Sequence, residues 1–564
     1  MKARTGFLKE YFMSLLAVKN KSEAISNLKR NWYFPVSAFV FFFLEADLSP
    51  VSLVSLFITM LFPIVIATQV ESMQRYVRTR RNSVCVLGAL SSLGVCLGAG
   101  ERNYLIWGTT ELLTEGIEKP VLSSNLALCL SAVAVLLSAA FVYICLVWFW
   151  DKLTEIFRET GAFKDLKPYE IVVYALIVLA TLLFVGYCFM QSQAFYGTDL
   201  KYDLIYTSDS PSFLTENVYV TRTHPENDLR QPLFAVFAAP FVGIAYGIAQ
   251  VLFLPQSVSA MLQNFVQVLM MLMANYLLAR MLRLTALKRI CFMALFSCTY
   301  TYLLFSLMME QYIVGYFWLV LLMYTACEGK DAWRPAFYGT CGTLLTGAVL
   351  APLMSHRSPL REFKKWFWDM VRCAVEFAAL ILICGRLDIV TNLYHKVAQL
   401  TSFTGEEVTF SQKIYQYFSF VAGCFRAPSA GVTPNAEGYT SWQLETVTGL
   451  SVAGIVILVL AVVSGILSRK NKVCLIATGW VCMSVVMLMV LGWGTAENGL
   501  VLYSLYFGWA FVVLLFNLAD MLQTKLGVSF LLPSVTAVAC GFMLAVNIPS
   551  LAEMINYAIE CYPV

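Results

Sequence analysis

No charged side chain occurs between Arg230 and Arg280. Other apolar runs of about 20 residues, each long enough to cross a hydrocarbon layer, recur before and after it. The chain is 59% hydrophobic and only 13% charged, about half the charge of a soluble domain. The sequence therefore predicts an all-α, polytopic transmembrane helical bundle.

The net charge of +4 is small and its basic residues sit in short loops. They read as topology signals, and no nucleic-acid partner is expected. The 16 cysteines lie mostly inside apolar segments, with no zinc-like spacing, and read as small packing residues. The N-terminal stretch "MKARTGFLKEYFMSLLAVKNKSEAISNLKR" lacks the apolar core and cleavage site of a signal peptide. It reads as a basic amphipathic segment on the cytoplasmic face. Neither a phosphate-binding loop nor a glycine-rich dinucleotide fingerprint is visible.

Placing basic loops inside threads the chain. Spans are expected near 34–46, 48–70, 84–98, 124–150 and 171–190. The last delivers the polar stretch 191–230 to the outer face. The uncharged run that follows could make two crossings, but "RMLRLTALKR" and every later basic loop would then lie outside. One crossing, near 257–279, keeps them inside. Residues 232–250 are therefore expected to form an amphipathic or re-entrant helix at the outer interface, with Pro255 marking the turn. Further spans are expected near 290–309, 313–327, 371–384, 443–467, 473–491, 498–521 and 527–548, plus a short hairpin at "GTCGTLLTGAVLAPL". The total is about fifteen crossings.

Four regions follow. Residues 1–160 form a basic segment plus an additional four-helix membrane element. Residues 161–390 form a core holding the first outer loop, 191–230, and the interfacial helix, 232–250. Residues 391–441 form a second outer loop, and 442–564 the last membrane helices.

The first outer loop carries Asp199, Asp203, Asp209, Glu216, Glu226 and Asp228 against Lys201, Arg222 and Arg230, with His224 among only three histidines. Such a loop is ordinarily just solvated, and its charges can pair simply to fold it. A carboxylate held against apolar walls, however, becomes a better proton acceptor near neutral pH. An arginine beside it can grip a phosphate with two parallel hydrogen bonds. Base and phosphate clamp together suit attack by a hydroxyl on a sugar whose leaving group is a lipid phosphate.

The order of span, acidic outer loop, "LRQPLFAVFAAPF", span, "LLARMLRL" and "MMEQYIVGYFWLVLLMYTAC" resembles the GT-C superfamily of membrane glycosyltransferases. That superfamily includes the protein O-mannosyltransferases and the aminoarabinose transferase of lipid A. "AENGLVLYSLYFGW" resembles a Glu-plus-"YS" segment of uncharacterised bacterial relatives. The likeness covers roughly 165–330 by motif and 331–548 by architecture. It implies a GT-C-like fold in a bacterial cytoplasmic membrane, with the N-terminus cytoplasmic. It also implies transfer of a sugar from a polyprenyl-phosphate carrier to a lipid, glycan or protein acceptor on the outer face. The lipid-linked sugar is then a substrate, and neither a metal nor another cofactor is expected. The resemblance makes Asp209, in "TSDSP", the matching base, with Asp203 second. Arg222, Arg230 or Arg426 would assist the leaving phosphate, His224 would line the site, and Glu497 would orient a substrate group. Two departures stand: no adjacent "DE" pair is present, and His224–Pro225 is separated from "RQPLF".

Two other classes compete. A lipid-linked oligosaccharide flippase or transporter would show repeated halves and buried midplane charges. No clear repeat is visible, and Glu376 is the main ionisable residue inside a span. A polysaccharide polymerase would use pyrophosphate-linked oligosaccharides on both sides of the reaction.

Overall fold

A computed structural model describes residues 21–44, 50–108, 124–196, 204–206, 210–215, 217–221, 229–328, 333–350, 362–401, 404–434, 440–495 and 499–564. Nearly all of this is helix. Nine helices among the described residues are long and apolar enough to cross a membrane, and three shorter apolar helices accompany them. Their outward faces carry large exposed side chains, among them Phe57, Leu136, Leu183 and Val538. Water would penalise such a surface, whereas lipid does not.

The chain opens with α1 (Tyr33–Leu44), α2 (Pro50–Gln69), α3 (Asn82–Gly108) and α4 (Ser124–Thr160). Helices α3 and α4 run antiparallel, with Gly88 against Val147 and Gly100 against Val135. At 37 residues, α4 is about 55 Å long. It contains neither glycine nor proline. Ser37 of α1 donates to the Leu137 carbonyl at 2.6 Å and accepts from the Phe141 amide at 2.9 Å, fixing α1 on α4.

Next come α5 (Pro168–Gln191), α6 (Phe234–Val251), α7 (Gln256–Met281) and α8 (Ala286–Ser297). The run 290–309, expected as one span, is broken after α8. Thr299 caps a separate short helix, Tyr300–Phe305, by accepting from the Tyr302 amide. Then follow α9 (Gln311–Cys327), α10 (Trp333–Thr343) and α11 (Phe363–Ile383). Within the expected second outer loop lie α12 (Phe410–Gly423) and the first strand of an antiparallel pair, β1 (Ala430–Pro434) with β2 (Thr440–Leu444). The chain closes with α13 (Val452–Leu467), α14 (Lys472–Ser484), α15 (Ser504–Leu526) and α16 (Leu531–Cys561).

Contacts between helix ends define two poles. At one, Tyr324 near the end of α9 donates to the Thr160 carbonyl, and Arg280 of α7 reaches the Gly161 carbonyl at 3.3 Å. Lys472 at the start of α14 donates to the Ala326 carbonyl at 2.8 Å. Here Arg289 grips Glu170 through Nε and Nη2, both at 2.7 Å, and both side chains are buried. Tyr174 and the Lys167 amide also donate to that carboxylate, while the Leu284 and Asp165 carbonyls accept from the guanidinium. We call this the basic pole. At the other, the Gln193 amide donates to the Tyr562 carbonyl at 2.9 Å, and Gln256 reaches the Tyr196 carbonyl. We call this the loop pole.

Helices α3 and α6 run alongside one another in the same direction. Ser91 donates to the Pro240 carbonyl at 2.6 Å, and Tyr246 donates to Glu101 further along. Between these bonds the backbones touch. A Cβ on Gly94 would lie 1.8 Å from the Gly243 carbonyl oxygen, and one on Gly247 would lie 2.7 Å from the Gly94 amide nitrogen. Gly94 and Gly98, like Gly243 and Gly247, are spaced four apart. Small residues at that spacing let two helices approach closely in lipid, where packing replaces the hydrophobic drive.

Candidate functional site

The two polar segments expected to face outward join at the loop pole. The Trp442 amide donates to the Leu204 carbonyl at 2.9 Å, and the Tyr206 amide donates to the Trp442 carbonyl at 2.8 Å. The Tyr206 hydroxyl lies 2.6 Å from that of Tyr300 and accepts from the Trp442 indole. Burial pushes the Tyr206 phenol above its usual value, and these two hydrogen bonds partly offset that. Its φ of 53° puts a bulky residue in the left-handed region. Such a residue persists only where its surroundings over-determine it.

From there the described residues lead through a short helix, Ser210–Thr215, and a turn at 217–220 into the bundle. Asn217 reaches Glu101 at the end of α3. Tyr219 donates to Gln267, midway along α7, at 3.3 Å. The Leu345 amide donates to the Arg230 carbonyl at 2.9 Å, the Leu233 amide donates to the Gly342 carbonyl at 2.9 Å, and Arg386 donates to the Pro232 carbonyl at 3.2 Å. Non-helical backbone at depth needs such protein partners. Helix α6 then returns beside α3.

A polar cluster surrounds the lowest part of this descent. Glu310, the residue before α9, is 1% exposed, and Gln311 beside it is also buried. Arg230 and Glu310 both lie within electrostatic reach of Tyr506, and Gln231 lies close to it. Burial first, and Glu310 second, push the Tyr219 phenol well above its usual value. Gln231 Oε1, Gln311 Oε1, Asn264 Oδ1 and Gln267 Nε2 are buried without a hydrogen-bond partner among the described residues. Native proteins leave few such atoms, so a group of them points to a ligand or water site. Glu310 is separated from the end of α9 by 17 residues, about 25 Å along the helix.

Beside this cluster a small open cleft, with about 40 Å³ of free space, lies between α12, the β-hairpin and the start of α15. Gln416, Ser419, Ser429 and Glu445 supply polar walls, and Ser504 is 1% exposed. Ser504 adjoins Tyr503, whose ring packs edge-on against Tyr312.

Of the residues singled out in the sequence, Asp203, Asp209, Arg222, His224 and Glu497 lie outside the described residues. Arg230 joins the buried cluster. Arg426 is exposed, follows α12, and does not line the cleft. Leu500 and Val501, a few residues after Glu497, do line it. Glu376 accepts from Arg372 at 2.7 Å and from Tyr338, so its charge is held by neighbouring side chains. No group of three or more His, Cys, Asp or Glu among the described residues could hold a metal ion. Sequence reasoning missed Glu310. "EQY" reads as a solvent turn between two spans, and the sole hint against it is the lack of the Gly, Pro, Asn or Asp usual in tight turns. Ser504 and Gln416 carried no local signal. Compared with known protein families, curated proteins and solved structures, the chain shows no match.

Proposed function

We propose that the protein is a membrane glycosyltransferase that moves a sugar from a polyprenyl-phosphate carrier to an acceptor hydroxyl at the loop pole. One observation carries this reading. A half-buried Arg230 and a buried Glu310 flank non-helical backbone beneath the junction of the two polar segments. Ionisable groups at depth in a membrane protein mark functional sites by default. The loop pole is then the outer face, and the basic pole the cytoplasmic one. Helix α6 (Phe234–Val251) is one of the nine long and apolar enough to cross and lies along α3, but in this reading residues 232–250 are re-entrant and do not cross. They start beside Arg230 and Glu310 and end near Glu101, so the chain dips inward and comes back out. The expected total of about fifteen crossings exceeds the nine long and three shorter apolar helices among the described residues, and the GT-C-like arrangement is part of this proposal.

In the reaction, Asp209, with Asp203 as the second choice, takes the acceptor proton as the hydroxyl attacks the anomeric carbon. The bond to the carrier phosphate breaks through an oxocarbenium-like state. Arg230 stabilises the charge that gathers on the departing phosphate, helped by Arg222 or Arg426.

The test is turnover of labelled polyprenyl-phosphate sugars by the purified chain in liposomes. Arg230→Ala and Asp209→Asn should each lower it by about 10²-fold or more while leaving expression intact. Wild-type turnover in both variants would remove these roles. The amide cluster of Gln231, Asn264, Gln267 and Gln311 favours a second reading, passage of a lipid-linked sugar across the membrane. Movement of a fluorescent carrier between leaflets without sugar transfer would select it.

A further inference from the structure

We propose that the cleft between α12, the β-hairpin and the start of α15 binds a neutral, hydroxyl-rich ligand, a short stretch of glycan. Two of its lining side chains present atoms that lack partners. Ser504 Oγ is buried without a hydrogen bond, and so is Gln416 Oε1, among the described residues. Gln416 Oε1 can only accept. Ser504 can donate and accept. A ligand that completes both must carry O–H or N–H donors, as the hydroxyls of a sugar ring do.

The rest of the lining narrows the class. Ser419 and Ser429 add hydroxyls. Phe420, Leu444 and Val447 supply apolar surface for the C–H face of a ring. The one charged lining residue is Glu445, which already accepts from Ser429. An anionic ligand would meet that carboxylate with no cation among the lining residues. An acyl chain would leave Ser504 and Gln416 unsatisfied. The cleft also has open space beside a glycine. A Cβ on Gly423, in the last turn of α12, would meet nothing within 4 Å, although Gly423 lines the cleft.

The role of this site rests on the transferase reading: it is where a glycan acceptor lies, beside the cluster that holds Arg230. Binding itself does not rest on it. The test is therefore direct binding, read by saturation-transfer NMR on the full chain in nanodiscs. The probes are neutral methyl glycosides and trisaccharides of gluco, galacto and manno configuration, with trigalacturonate and a glucosamine trimer as charged counterparts. At least one neutral probe should bind saturably and more tightly than either charged one. Gly423→Leu should abolish that binding, and Gln416→Leu and Ser504→Ala should each weaken it at least fivefold, with thermal unfolding unchanged in Gly423→Ala as the folding control. No binding by any neutral probe, preference for a charged one, or undiminished binding to folded Gly423→Leu overturns the proposal. Binding as described with no sugar transfer would leave the site standing and remove only the transferase reading.

Discussion

At the basic pole the ion pairs are completed. Glu170 has Arg289, Tyr174 and a backbone amide, Lys288 has Asp520, and Arg280 has Asp165. At the loop pole several buried amides and a serine each leave one polar atom without a partner among the described residues, beside Arg230 and Glu310. Burying a polar group without a partner costs free energy, whereas a buried ion pair with all its hydrogen bonds made offsets much of its desolvation and is costly chiefly when one partner is removed. The first pole therefore gains rigidity from its polar groups. The second tolerates a loss of stability, which is expected where another molecule completes the bonds.

The contrast can be broken most forcefully at Glu170. Arg289→Met alone strands a buried carboxylate and should cost about 3–5 kcal/mol. Glu170→Leu combined with Arg289→Met should recover most of that loss in thermal unfolding. A single variant as stable as wild type would remove the anchor role. Gly94→Leu comes next. It drives a side chain into the Gly243 carbonyl and should cost about 1–3 kcal/mol or more, read by the same unfolding measurement. Lys288→Met should cost only about 1 kcal/mol or less, because its pair with Asp520 is partly solvated. The smallest change in stability should come from Gln311→Leu. Removing an unsatisfied amide there should leave unfolding within about 0.5 kcal/mol or raise it, while turnover falls. If Gln311→Leu instead destabilises as strongly as Arg289→Met, the two poles do not differ in kind.

The spans were legible because lipid demands a minimum apolar length, and that length is written locally. Thus 257–279 falls within α7 and 473–491 spans α14 and the π-helical turn after it, Val485–Val490. The break at Cys298–Thr299 was not legible, since both flanks are apolar and only the Thr299 cap interrupts them. Gly94 and Gly243 each stand in a visible small-residue pattern. Their pairing spans well over a hundred residues, so no local rule links them. Arg230 was singled out because charge beside an uncharged run is conspicuous. Glu310 was not, because burial is decided by α7 and α15 packing around it rather than by its neighbours in the chain.

Helix α4 carries a mechanical consequence. A hydrocarbon layer about 30 Å thick encloses only part of its roughly 55 Å. Its last turns, "DKLTEIFRET", hold Asp151 against Arg80. Kinks arise at proline, glycine or similar interruptions, and α4 has neither residue. It is a stiff spoke running past the lipid boundary, so a push on its foot at Thr160 tilts Ser124 as one lever, with no joint in between to absorb the stroke.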